Sequence, residues 1–137
     1  MRVSVLLPFA ALLCGPPSPA SAQEVQDSTV QQNLTQEELD ARVRSFLERN
    51  RRRWRDLNVP EADGQRLHDL IVENGYTRAL EIGTSTGHSG IWIAWALSRT
   101  GGKLITVEID RGRYEVAVRN FQEAGLVPFI DARVADA

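Results

Sequence analysis

The sequence is short of cysteine, methionine and histidine: one Cys14, one Met1, and two histidines, His68 and His88. A lone thiol cannot close an intramolecular disulfide, so no disulfide framework holds this fold, and cysteine usage gives no support for an oxidising compartment. Charge of one sign is also lacking. Sixteen basic against eighteen acidic residues leave a formal net charge of −2, which exerts no global pull toward nucleic acid. No internal repeat is present. The one sustained apolar run, Val3 to Leu13, is interrupted by Ser4 and is too short to cross a bilayer. A G-x-G-x-x-G dinucleotide fingerprint is absent as well.

What that first run does fit is a leader. Met1-Arg2 supplies a minimal charged start, Pro16, Pro17 and Pro19 break any helix, and Ala20-Ser21-Ala22 is an A-x-A cleavage site before Gln23. Residues 1–22 are expected to be a secretory signal peptide, placing the protein in the periplasm or outside the cell. Leu13 before Cys14 is too large for a lipoprotein signal. Residues 23–33 are polar and aperiodic and read as a flexible linker. Residues 34–137 then form one domain at most, with enough apolar content for a core.

The domain opens with a strong helix start. Thr35 and Glu38 can form a capping box, with Leu34 and Leu39 as the hydrophobic staple. Leu39, Val43, Phe46, Leu47 and Trp54 mark one apolar face at helical spacing. The other side carries Arg49, Arg51, Arg52, Arg53 and Arg55. Those arginines suit an anionic substrate or headgroup, or simply a solvated face beside Glu48 and Asp56, the simpler reading. Val59-Pro60-Glu61 begins a second helix, with Pro60 in its first turn and Leu67, Leu70 and Ile71 toward the core; Asn74-Gly75 ends it. His68, between Arg66 and Asp69, is expected in solvent. Three strands alternating with two helices follow: strand Arg78 to Ile82, helix Ser89 to Arg99, strand Lys103 to Ile109, helix Arg113 to Ala124, strand Phe129 to Val134. Such alternation implies βαβ units and a parallel sheet. Trp92 and Trp95, at helical spacing with Ile91 and Leu97, are expected to pack helix against sheet.

The chemistry concentrates in Glu81-Ile82-Gly83-Thr84-Ser85-Thr86-Gly87-His88-Ser89. An apolar strand meets an acid, then a glycine turn, then a helix start, whose free amides and dipole favour an anion. The spacing Glu81-x-Gly83-x-x-x-Gly87 resembles motif I of the class I S-adenosylmethionine (SAM) methyltransferases. Within them it is most similar to the catechol and caffeoyl-CoA O-methyltransferase group, over Asn58 to Ala137. The resemblance implies an α/β fold, a Rossmann-like parallel sheet with helices on both faces, here truncated after the third strand, so that the chain reads as the N-terminal portion of such an enzyme. In the resembling family strand one is interior, and left as an apolar edge it invites association, a possible homodimer.

The resemblance also implies how SAM would be held. Gly83, Gly87 and the loop between them bring backbone to the methionine portion; Ser89, assisted by Ser85, suits its carboxylate; Glu81 faces its ammonium or sulfonium. Glu108, ending strand two about 20 residues past Gly87, fits the spacing of acids that take both ribose hydroxyls. Ile109 would pack on the adenine, and Asp136 would accept from its amino group. His88 stands where this group usually has tyrosine or phenylalanine; it is placed on the cofactor side, with little to commend it as a base. The implied reaction is methyl transfer to a small-molecule hydroxyl. A divalent metal is possible in the complete enzyme, with its ligands and the catalytic base outside this chain. Two other classes stay open. One is a dinucleotide-binding oxidoreductase fragment. The other is a non-catalytic exported binding module, which the leader favours because SAM is made in the cytoplasm.

Overall fold

A computed structural model describes residues 34–54 and 57–136. The expected signal peptide and linker, Arg55, Asp56 and Ala137 lie outside the described residues. No described helix is long and apolar enough to cross a membrane.

Helix α1, Gln36–Asn50, starts as its sequence dictates. The Thr35 hydroxyl accepts the Glu38 amide at 3.2 Å while the Glu38 carboxylate accepts the Thr35 amide at 2.8 Å. Two orphan donors are thereby satisfied reciprocally. Leu39, Val43, Phe46 and Leu47 are buried, and Trp54 packs on Phe46 with ring centroids 6.0 Å apart. Three arginines of the opposite side find local partners. Arg51 pairs with Glu61 at 2.9 Å, Arg53 donates to Asn50 at 3.0 Å, and Arg49 donates to Ser45. That is the behaviour of a solvated face.

Helix α2, Glu61–Asn74, is capped by Pro60 itself rather than carrying it in the first turn, and closes on Gly75 in the left-handed conformation. Two expectations fail here. Leu70 is an exposed side chain, and His68 is wedged against Trp95 and Trp92, with centroids 4.7 and 6.4 Å apart. The reason is the stripe this helix presents to its neighbour. Gly64, Leu67, His68 and Ile71 follow the i, i+3, i+4, i+7 pattern, so His68 lies inside the stripe while its charged sequence neighbours lie outside it.

The rest alternates as expected: β1 Arg78–Ile82, α3 His88–Thr100, β2 Lys103–Glu108, α4 Arg111–Ala124, a short 3-10 turn Val127–Phe129, and β3 Ile130–Val134. The sheet is parallel in the order β1-β2-β3, with Glu81 level with Thr106 and Glu108 level with Val134. Helix α4 begins two residues early because the Asp110 carboxylate accepts the Arg113 amide at 2.8 Å. Arg42 of α1 donates to the carbonyls of Gln122 and Glu123, both at 2.9 Å, satisfying the far end of α4. Asp40 ties α1 to α3, accepting the Trp95 indole N–H at 2.7 Å and pairing with Arg99.

The core lies on one side of the sheet. Ala79, Leu104, Thr106, Ile130 and Ala132 alternate toward α3 and α4. Leu80 and Ile82 alternate the other way and are 66% and 68% exposed. The sheet and its parallel order match the Rossmann-like expectation. Of the two helical layers, the described residues provide the one built from α3 and α4. This arrangement leaves every loop that follows a strand on one rim.

Candidate functional site

That rim carries the glycine loop. Gly83 has φ 89° and its amide donates to the Val107 carbonyl at 2.9 Å, fastening the loop to β2. Gly87, φ 92°, is constrained twice: a side chain there would be strained, and its Cβ would lie 2.7 Å from the Phe121 ring. Ser85 adopts φ 49° without being glycine. Such a residue persists only when its surroundings over-determine it, and here its amide donates to a Glu108 carboxylate oxygen at 2.7 Å. Its own hydroxyl is buried without a partner in the structure.

Glu108 is 5% exposed, and its second oxygen accepts the Asp110 amide at 2.9 Å. One carboxylate thus fastens the loops after β1 and β2 together. An ionised carboxylate offers about four acceptor positions; two remain after these amides, enough for a diol. Ile109, beside it, is exposed. The Ala135 amide donates to the Glu108 carbonyl at 3.1 Å, bringing the segment with the exposed Asp136 to the same rim.

Glu81 lies one strand over, between sheet and α3. Its oxygens accept from the Ser89 hydroxyl at 2.5 Å and the Thr106 hydroxyl at 2.6 Å. Thr106 has one proton and gives it to Glu81, so in its 2.5 Å contact with Thr84 it must accept. A relay therefore runs from Thr84 through Thr106 to Glu81. Burial pushes the Glu81 carboxyl above the usual carboxylate range; the Ser89 and Thr106 hydrogen bonds pull it back, and the charge of Glu108 adds to the rise. Ser89 is changed by the same geometry. Its only proton is already given to Glu81, so a ligand carboxylate would meet the backbone amides of the first turn of α3 rather than this hydroxyl.

All eight residues singled out on the sequence, Glu81, Gly83, Ser85, Gly87, Ser89, Glu108, Ile109 and Asp136, lie at or just beyond the carboxyl ends of the strands, where ligands bind in open α/β sheets. Thr84, Thr106, Asp110, Asn58 and Asn120 join them. Asp110 was missed on the sequence, although an aspartate just before a helical stretch is an N-cap signal. The others act across the fold: Asn58 donates to the Thr86 hydroxyl at 2.9 Å and Asn120 to the Thr86 carbonyl at 2.8 Å. His88 corrects its expected placement. Its ring points away from the loop, stacked on Trp54 with centroids 4.5 Å apart. The residue is 2% exposed, and burial lowers its pKa. Acidification below the ordinary imidazole range therefore weakens folding, since the unfolded chain takes up a proton that the buried ring resists. Trp92 and Trp95 are buried packing residues rather than ligand platforms, but they pack α3 against α1 and α2 and not against the sheet as expected: Trp95 meets Asp40 of α1, and both rings meet His68 of α2. Among the described residues no group of three or more His, Cys, Asp or Glu side chains is gathered for a metal ion.

A family model described as O-methyltransferase matches residues 26–137. The chain belongs to the O-methyltransferase family. It is similar to a catechol O-methyltransferase from Niastella koreensis, 43% identical over 81 residues, which cover 59% of this chain and 36% of that protein. Among solved structures it is similar to the O-methyltransferase TomG from Streptomyces achromogenes, determined in complex with SAM, at 34% identity and TM-score 0.57, covering 69% of this chain and 42% of that one. It is also similar to an O-methyltransferase from Bacillus cereus in complex with SAH, at 28% identity and TM-score 0.58, covering 84% and 49%. The chain thus spans about a third of the length of that curated relative and less than half of each solved one. Nothing in these likenesses supports an oxidoreductase or a non-catalytic module.

Proposed function

We propose that the rim of this sheet binds SAM and serves methyl transfer to the oxygen of a small hydroxyl acceptor. The observation that carries the reading is Glu108: a buried carboxylate at a strand end, set by two backbone amides, with acceptor capacity left for a ribose diol. Exposed Ile109 offers an apolar surface for adenine, and Asp136 lies beyond it on the same rim. Gly83 and the amides at the start of α3 offer close backbone approach to the amino acid end. Glu81, buried and held by two hydroxyls, supplies negative potential near a cation.

SAM when bound supplies an electrophilic methyl group. In-line attack by the acceptor oxygen forms the O–CH3 bond as the S–CH3 bond breaks, the bonding pair returns to sulfur, and the acceptor proton passes to solvent or a base. Catalysis in such a displacement is largely positioning and charge placement. The described residues contribute by fixing the donor: Glu108 orients the ribose and the glycine loop limits how the methionine portion can lie. Calorimetry on the full chain tests the class. SAM should give saturable heat and NAD none; binding of NAD without SAM overturns the reading.

Export belongs to the same proposal. The leader at residues 1–22 should be removed, so the protein purified from its own host should begin at Gln23 by mass spectrometry. An intact form starting at Met1 as the sole species would refute export.

A further inference from the structure

His88 is the first residue of α3, directly after the glycine loop, yet its ring reaches back toward the connection between α1 and α2. Its Nδ1 lies 2.9 Å from the Val59 carbonyl, and the Trp92 indole lies 3.2 Å from its Nε2. An indole nitrogen can only donate and a carbonyl can only accept. The ring is therefore the neutral Nδ1–H tautomer, donating to Val59 and accepting from Trp92. The next residue toward α1, Asn58, exchanges two hydrogen bonds with Thr86 of the glycine loop, at 2.9 and 3.2 Å. Leu57, before that, has φ 43°, a left-handed conformation that such a residue adopts only when held. The 57–60 connection is thus fastened at Val59 and Asn58 to the two ends of one short stretch, Thr86 to His88.

We propose that His88 is a positioning residue of the cofactor site: its Nδ1–H seats the 57–60 connection against the glycine loop, and protonation at Nε2 releases it. Uptake of a proton there sets N–H against N–H at Trp92 and puts a charge in a ring stacked on Trp54. The opposed N–H groups at Trp92 are relieved when the ring moves, and the Nδ1–H contact carries Val59 with it. Among the described residues, the charged groups around the ring are Arg51 at the end of α1 and Glu61 at the start of α2, which line the same cavity of about 100 Å³ and pair with each other at 2.9 Å. Glu61 favours the imidazolium. His68, on α2, lies across Trp92 and does not touch the ring. The proposal rests on the SAM reading for its functional consequence but not for the clasp itself.

The two parts are tested separately on the full chain. Histidine-ring NMR of the free protein, simplified by there being only two histidines, should show His88 as the Nδ1–H tautomer at neutral pH. Its titration should share a midpoint with amide shifts of Asn58, Val59 and Thr86. Titration that leaves those amides unmoved overturns the clasp. By calorimetry, SAM affinity should fall roughly tenfold between about pH 7 and about pH 5, the equivalent of about one pKa unit of linkage. His88→Phe keeps an aromatic ring for Trp54 and should flatten that fall. Superimposable pH profiles of His88→Phe and wild type refute the proposal. Should that variant fold poorly, Trp92→Phe removes the opposing N–H and should raise the His88 midpoint; an unchanged midpoint counts against the mechanism. Absence of SAM binding at every pH would defeat the functional reading while the NMR outcome still decides the clasp.

Discussion

Glu108→Ala is expected to weaken SAM binding about tenfold to hundredfold, the equivalent of losing about 1.5–3 kcal/mol of hydrogen bonding to a charged group. The substitution removes more than a ribose acceptor. It leaves the amides of Ser85 and Asp110 without their carboxylate, and Ser85, at φ 49°, loses the contact that holds it there. Hydrogen exchange should therefore quicken across the glycine loop in the free protein as well. Glutamine is no conservative replacement, because its amide has one acceptor oxygen for two incoming N–H groups. Calorimetry on Glu108→Ala settles the matter; unaltered SAM affinity would remove the ribose assignment.

Gly64→Ala should destabilise the fold even though alanine is the better helix former by about 1 kcal/mol. A Cβ at position 64 would sit 2.2 Å from Trp92 Cδ1 and 2.4 Å from its Nε1. Trp92 is buried between α2 and α3, with its indole N–H held by His88 Nε2. Overpacking of this kind costs about 1–3 kcal/mol net, and at this domain size about 4–8 °C of Tm per kcal/mol. Denaturant and thermal melts of Gly64→Ala measure it. A combined Gly64→Ala, Trp92→Ala variant should be less destabilised than the sum of its parts; strict additivity would show that the clash is not the cause.

How much of this was legible on the sequence depended on distance along the chain. The capping box of Thr35 and Glu38 spans three residues and could be read directly. So could the strand–loop–helix around Gly83 and Gly87, and Glu108 by its spacing. Local pattern carries such features because the partners are separated by a turn or by one βα unit. The Thr84–Thr106–Glu81 relay joins two strands, and no local pattern marks a threonine as its middle member. His68 was misplaced because its charged neighbours masked the packing stripe. His88 was misplaced because a motif gives a residue's position and not the direction of its side chain; only the docking of the 57–60 connection turns the ring. Gly64 gave no signal, since a glycine inside a helical pattern reads as a weakness until the ring facing it is known.

The exposed side of the sheet has a calorimetric consequence. Unfolding raises heat capacity chiefly by wetting apolar surface. Leu80 and Ile82 already meet water in the folded chain, so their hydration is counted in both states and largely cancels. The chain should therefore have a smaller heat-capacity increment per residue than the usual ~12–15 cal/mol/K, and a flatter dependence of stability on temperature. Whatever covers that side in an assembly or a longer polypeptide would bring the increment back up. The curvature of the melting free energy is thus a gauge of whether Leu80 and Ile82 are wet or dry.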